Sequence, residues 1–412
     1  MTPPLAGPQS LLRALNARAV LEVLAEHGPS SRTELMERTG LSRTAVTQLV
    51  RALRASGELV PAGHDRDTRG PAAERVALNP GLGLALAAHC ARDRVAVALV
   101  DASGTVRQRA HAELAGPEET ARALARLLAG LREAAGPEIP LLAGIVGVPG
   151  IVARDGTVRT ESGPDDGALR DALARLVSAP LRLENDVNLA ALTELARGAE
   201  PDASFALLSL DPGLGAAIVI GGALHRGAGG GAGEVAYLPQ PGVPLGAPVL
   251  GGEQLAAVFA AHGIDPGTAP LAVLDAAGRG EPASRAAVEE LAGRLALVAA
   301  SLRLVLDPEA IVLADLAAHP AFLAAVDRAA TAFADRLPIP IRAASPAPTG
   351  ADDAEATTAV ALDDPTLAGA AIEAAAELRS RLFPHVPAAA PATTAGPRAA
   401  RRTDPHPKGS QQ

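Results

Sequence analysis

Apolar residues recur at helical spacing near the front of the chain. In Leu11 to His27, Val20, Leu21, Val23 and Leu24 form a stripe, and Gly28-Pro29 closes the helix. The next stretch, SRTELMERTGLSRTAVTQLVRALRAS from Ser31 to Ser56, predicts two short helices around a tight turn. Ser31 and Glu34 have the spacing of a capping box, Gly40 suits a left-handed stop, and Ser42 caps the second helix. In that helix Val46, Leu49, Val50 and Leu53 fall at i, i+3, i+4 and i+7 on one face, while Thr44, Thr47, Gln48 and Arg51 lie on the other. Beyond Gly57, ELVPAG and AERVALNP predict two strands around the polar turn HDRDTRGP. Residues 11–80 therefore form a winged helix-turn-helix in this reading, with residues 1–10 as a flexible arm.

After Pro80 the pattern becomes one of buried strands alternating with helices. GLGLALAAHC, RVAVALVD and TVRQRAHAEL predict three strands, with Ser103-Gly104 as the turn between the second and third. A helix from Glu118 to Ala135 follows, then the strand LLAGIVGVPGIV, the helix ALRDALARLV, the strand PLRLEND and a helix from about Asn188 to Arg197. FALLSL, AAIVIGG and ALHRG open a second set of strands, followed by the glycine loop GAGGGAGE. Helices at Leu255 to His262 and Ala286 to Leu306, the strand AIVLAD and a helix at Pro365 to Phe383 complete it. Such alternation predicts an α/β fold of two lobes with a cleft between them: residues 81–190 with the returning helix 365–383, and residues 191–364. Residues 384–412, rich in Ala, Pro, Thr and Arg, predict a disordered tail.

Charge distinguishes the front from the body. Residues 1–80 hold ten Arg against eight carboxylates, a local +2 in a chain of net charge -9. No acidic residue falls between Glu37 and Glu58, so the second helix meets a polyanion without repulsion from its own carboxylates, and Arg43, Arg51 and Arg54 attract it. Arg66 and Arg69 sit at the predicted wing tip. None of the six aromatic residues precedes Phe205, which removes base stacking on rings and favours duplex over single-stranded DNA. Cys90 is the single cysteine, excluding an intramolecular disulfide or a cysteine-rich zinc site. Without an export signal or a membrane-length apolar run, a cytoplasmic protein is expected.

The body resembles the ROK family of sugar kinases and sugar-responsive repressors, on the bilobal actin-like (ribonuclease-H-like) sugar-kinase fold. The matching stretches are Asn16-Ala17-Arg18, TELMERTGLSRTAVTQLVRALRASGELV, GIVGVPGIV, ENDVNLAALTELARG, LDPGLGAAIVIGGALHRGAGGGAGEVAYL and LDPEAIVL. The fused helix-turn-helix makes it similar to the regulator branch. The resemblance implies that Asp186 stands at the position of the kinases' base, and that Asn185 and Glu234 hold sugar hydroxyls. Taken alone, Asn185 and Asp186 also suit a helix cap. Tyr237 stands where the family has a zinc-binding His, and no cysteine follows, so that metal site is not expected. Tyr237 either covers the cleft or packs against its lobe, and Glu253 is the candidate for the glutamate that follows the family's cysteine cluster.

Phosphoryl transfer needs backbone cradles and a carboxylate for magnesium. His89-Cys90-Ala91-Arg92-Asp93 replaces the family's Asp-x-Gly-Gly-Thr, Asp211-Pro212-Gly213-Leu214-Gly215 its second phosphate loop, and Ala314-Asp315 a late Gly-Gly. The expectation is a transcriptional regulator, by family habit a repressor, that is not an enzyme and has no cofactor. Its partners would be double-stranded DNA at an inverted-repeat operator, a sugar or sugar-derived effector, and a second copy in a homodimer or dimer of dimers. The rivals are a sugar kinase with a fused DNA-binding domain and a ligand-independent regulator whose body serves oligomerisation.

Overall fold

The computed structural model describes residues 8–64, 73–160, 163–164, 168–198, 200, 202–211, 213–333, 338–348 and 357–383. At the front stand α1 (Pro8–His27), β1 (Ser30–Ser31), α2 (Arg32–Thr39), α3 (Arg43–Ala55), β2 (Leu59–His64) and β3 (Glu74–Leu78). The caps are those the residues predict. The Glu34 amide donates to Ser31 Oγ at 3.3 Å and the Ser31 amide to Glu34 Oε2 at 2.7 Å, while Gly40 ends α2 at φ +70. The antiparallel sheet β1-β3-β2 backs the three helices, whose buried Val20, Leu24, Leu35, Val46 and Val50 form the core.

The first lobe contains β4 (Leu84–Cys90), β5 (Arg94–Val100), β6 (Thr105–Glu113), α4 (Thr120–Ala135), β7 (Leu141–Val148), β8 (Ile151–Val152), β9 (Val158–Thr160), β10 (Gly163–Pro164), α5 (Ala168–Leu176), β11 (Leu181–Asn185) and α6 (Asp186–Ala196). The second contains β12 (Phe205–Asp211), β13 (Gly213–Ile220), β14 (Ala223–Leu224), α7 (Gly252–Ala261), α8 (Pro270–Gly278), α9 (Pro282–Leu306), β15 (Ala310–Asp315), α10 (Pro320–Ala330) and β16 (Ile341–Ala343). The chain then returns to the first lobe through β17 (Thr357–Thr358) and α11 (Pro365–Leu382). The sheet orders are β11-β7-β4-β5-β6-β17 and β14-β13-β12-β15-β16, and β8, β9 and β10 form a small sheet of their own. Each lobe mixes parallel pairs, β4 with β7 and β12 with β15, with antiparallel hairpins.

Two features join the parts. Helices α6 and α11 cross backbone to backbone, because α11 presents Ala368, Gly369, Ala370 and Ala371; a Cβ on Gly369 would sit 1.9 Å from the Leu189 carbonyl oxygen. One apolar core also runs from Val20, Leu24, Val46 and Val50 of the winged helix to Val100, Ala371 and Leu378. The winged helix is packed onto the first lobe.

Several boundaries differ from those the pattern predicts. Helix α1 starts at Pro8, so residues 8–10 are helical rather than part of a flexible arm. Helix α6 starts at Asp186, and a lobe boundary after residue 190 would cut it; β17 pairs with β6, so the return to the first lobe precedes residue 365. Helices α8 and α10 have no counterpart in the sequence reading. The wing tip with Arg66 and Arg69, residues 1–7 and the predicted tail 384–412 lie outside the described residues.

Replacing Gly369 by Ala is expected to force α6 and α11 apart and to cost about 1–3 kcal/mol, the range for overpacking a tight contact. Urea denaturation of the Gly369→Ala chain would show it as a lowered midpoint, and an unchanged midpoint would contradict so close a crossing.

Candidate functional site: a DNA-facing helix and an interlobe cleft

Helix α3 buries Val46, Leu49, Val50 and Leu53, which leaves Arg43, Thr44, Thr47, Gln48 and Arg51 exposed together, with exposed Ser42 at the cap accepting from the Ala45 amide at 3.3 Å. Arg54 differs from them. It is half-buried, and its Nη1 donates to Glu74 Oε1 at 2.7 Å while Arg32 Nη2 donates to Glu74 Oε2 at 3.1 Å. Arg54 is thus engaged in pinning wing strand β3 to α3, where the sequence reading placed it at a DNA phosphate.

The residues named for a sugar site begin where β11 runs into α6. Asn185 is the N-cap: its Oδ1 accepts from the Asn188 amide at 2.9 Å, and its Nδ2 donates to the Gly150 carbonyl at 3.0 Å. Asp186 follows, half-buried, and its Oδ1 accepts from the Val187 amide at 2.8 Å and from Asn185 Nδ2 at 3.1 Å. Burial pushes the Asp186 carboxyl up to about 6, against the pull of the His89 charge, and Asp315 adds to the rise. Asp211 is also raised, by desolvation first and then by Asp315 and Asp93. Asp186 and Asp211 thus lie within electrostatic reach of His89 and of Asp315, and Asp211 also of Asp93 and Arg94.

His89 and Arg94 have a fixed partner. His89 Nδ1 donates to Asp364 Oδ2 at 2.8 Å and Arg94 Nη2 to the same oxygen at 3.0 Å. Burial would raise Asp364, but the bond and charge of His89, the Leu367 amide and Arg94 outweigh it and hold the carboxyl below its ordinary value. Asp364 is therefore ionised, and His89 must carry its proton on Nδ1.

The glycine loop crosses from the second lobe onto the first. Gly230, at φ +84, lies against β8 so closely that a Cβ would meet the Val152 carbonyl oxygen at 2.2 Å; Gly233, at φ +97, leaves the same kind of gap of 2.0 Å to Ala216. Glu234 and Tyr237 follow on this loop, both exposed, and Asn185 and the loop are fastened to the same segment, 150–152. Glu253 lies exposed in the first turn of α7, with no tie to the cleft residues among those described.

Glu184, one residue before Asn185, is a structural node. Only 5% exposed, it accepts from Arg226 Nε at 2.7 Å, Arg182 Nη1 at 3.0 Å, Asn188 Nδ2 at 3.0 Å and the Asn185 amide at 3.1 Å. Arg226 belongs to the second lobe, so this pair crosses the cleft. Sequence reasoning passed over it, together with the Asp364 clamp, since no local pattern marks pairs so far apart. Among the described residues no group of three or more His, Cys, Asp or Glu is arranged to hold a metal, and burial pushes the Cys90 thiol up to about 12.

A winged helix packed on a two-lobed sugar-kinase-like body defines the class, and comparison with known proteins gives the particulars. Residues 14–70 match the MarR family and residues 87–246 the ROK family. The chain carries a MarR-like winged helix domain and a ROK domain. It is 27% identical over 240 residues to a putative xylose repressor of Caldicellulosiruptor sp. (strain Rt8B.4), covering 56% of this chain and 60% of that protein's length. A ROK family transcriptional regulator, a homolog of the E. coli MLC protein, superposes with a TM-score of 0.66 at 17% identity over 90% of this chain and 99% of that one. A ROK hexokinase from Thermus thermophilus superposes with a TM-score of 0.56 at 25% identity over 72% of this chain and 99% of the other. Among the described residues no helix is long and apolar enough to cross a membrane.

Glu184→Gln should remove the charge that four donors address and lower stability by about 1–3 kcal/mol, the cost of mispaired buried polar groups. Thermal melting would register this, and a parent-like melting temperature would show that the Arg226 contact is slack.

Proposed function

We propose that the chain is a cytoplasmic transcriptional repressor whose grip on duplex DNA is set by a sugar or sugar derivative in the interlobe cleft. One observation carries this reading: α3 offers solvent an arginine-bearing face without a carboxylate, on a winged helix packed against a sugar-kinase-like body. The name of the Caldicellulosiruptor relative supports both halves and puts D-xylose first among sugars to try. In the complex α3 enters the major groove, with Ser42, Thr44, Thr47 and Gln48 toward base edges and Arg43 and Arg51 at phosphates. Arg54, held by Glu74, ties the wing strand to the helix. Two copies, as a homodimer or within a dimer of dimers, meet an inverted repeat.

In the cleft, Asn185, Asp186 and Glu234 take hydroxyls and Tyr237 covers the opening; Glu253, without a tie to these residues among those described, is left out of this reading. The bonds that Asp186 makes fall on Oδ1, which leaves Oδ2 for a hydroxyl donor. Catalysis is not part of this reading. Asp211, raised in part by Asp315 and Asp93, supports a negative potential on the side where a kinase holds nucleotide phosphates, and such a field disfavours ATP. The likeness to a hexokinase is the observation that favours the rival, and transfer of phosphate from ATP to a hexose by the purified protein would establish it.

Arg51→Ala is expected to weaken binding to all duplexes alike and to reduce the slope of log affinity against log salt by about 1, whereas Gln48→Ala should cost about 1–3 kcal/mol at the operator alone. Fluorescence anisotropy across a salt series separates the two. If Arg51→Ala binds like the parent at every salt concentration, α3 is not the docking helix.

The raised Asp186 carboxyl sets a pH dependence. Below about 6 it is protonated, and ionising it between its ordinary 3.8 and about 6 costs the sugar-free protein stability as pH rises. A hydroxyl donating to the charged form recovers part of that cost, so sugar affinity should rise with pH up to about 6 and then level off. Below that value it should fall by up to about tenfold per unit. Calorimetry with D-xylose at stepped pH tests this, and the step should vanish in Asp186→Asn.

A further inference from the structure

We infer that α11 is the element through which the winged helix reads occupancy of the cleft, with the Asp364 clamp on His89 and Arg94 as its input. This rests on the regulatory reading above and adds to it a route.

The input end is anchored on the cleft. Asp364 caps α11, its Oδ1 accepting from the Leu367 amide at 2.9 Å, and gives its other oxygen to His89 and Arg94. The clamp is enclosed, with the His89 and Asp364 side chains 13% and 12% exposed. Thr366 Oγ1 donates to the Asp186 carbonyl at 3.2 Å, and Thr193 Oγ1, from α6, donates to the Pro365 carbonyl at 2.6 Å. These polar anchors of the first turn of α11 come from β4, β5 and α6, elements that also carry or adjoin the cleft carboxylates.

The output end is anchored on the winged helix. Leu378 is fully buried in the apolar core that contains Val20, Leu24, Val46 and Val50, with Leu382 and Phe383 packed against that core. Arg379 donates to the Ala102 carbonyl at 3.0 Å and lies within the electrostatic reach of Glu22 on α1. Between the ends, 18 residues of helix, roughly 27 Å at the usual rise, lie on the first-lobe sheet along a face of small side chains. A close-packed helix moves as a body rather than bending, so a shift at its first turn is carried to its last.

A sugar hydroxyl that accepts a proton from His89 or Arg94 competes with Asp364 for it, and one bound at Asp186 acts on the first turn of α11 through the Thr366 bond to the Asp186 carbonyl. The ligand's preference between clamped and released arrangements then bounds the change in DNA affinity. Position between two sites does not establish coupling, so the test must move the helix without touching either ligand.

Asp364→Asn does this, because Asn still caps α11 while losing the charge that holds His89 and Arg94. Thr366→Val removes the bond to Asp186. Glu377→Gln breaks only the Glu377 to Arg381 pair on the same helix and serves as control. Anisotropy of labelled duplexes tiled over the region upstream of the gene, with and without D-xylose, reads the outcome in the full-length protein. Asp364→Asn and Thr366→Val should each change sugar-free duplex affinity by at least about fivefold, with the salt slope and the affinity of Glu377→Gln unchanged. Parent affinity in Asp364→Asn overturns the route, and so does an equal loss in all three variants with melting temperatures lowered together. Should the parent show no response to sugar, the effector reading fails, and the route stands or falls on the sugar-free affinities alone.

Discussion

The contact on which the arrangement depends is the crossing of α6 and α11 at Gly369, where one helix rests on the carbonyl of the other. Such proximity needs small residues over a whole turn, and α11 supplies them in Ala368, Gly369, Ala370 and Ala371. Small side chains bury little apolar area each, so the contact gains from dispersion between two backbones and from the sheet beneath. Its consequence is geometric. Helix α6 begins with Asn185 and Asp186, and α11 ends in the apolar core that the winged helix shares, so the crossing holds the proposed sugar site and the winged helix in one frame.

Much of this was legible in the residues, and the exceptions share a cause. The winged helix showed itself through local chemistry: a capping box at Ser31 and Glu34, a left-handed stop at Gly40, an apolar row from Val46 to Leu53. Buried strands showed themselves as unbroken apolar runs, as in β5 and β12. The alanine-rich helices α8 and α10 did not, since alanine suits a helix yet contrasts weakly with its neighbours, and periodicity needs contrast. The start of α6 was misplaced because Glu184 and Asn185 end a strand and Asp186 opens a helix with no turn between them.

The site divides in the same way. Asn185, Asp186 and Glu234 are named through a family pattern alone, and Asn185 is the cap of α6 that its place before a helix suggests. Pairings across the fold were out of reach: Arg54 with Glu74 are 20 positions apart, Arg226 with Glu184 are 42, and His89 with Asp364 are 275. They change what the named residues can do. Arg54 is bonded to the wing strand, Glu184 joins the two lobes, and His89 belongs to a clamp.

The occupied Arg54 bears on how DNA is held in the proposed complex. With Arg43 and Arg51 the exposed cations of α3, counterion release by one recognition helix contributes a salt slope of only about two, too shallow for tight, specific binding by that helix alone. Two copies on an inverted repeat double this term and make it depend on the separation of the two helices, which a body packed against each winged helix can set. A monomer with a loosely tethered DNA-binding domain would have no such lever, because ligand in its cleft could not change where the helix points. In the proposed complex, the apolar core shared by Val20 and Leu378 would then matter to ligand control as much as any arginine on α3.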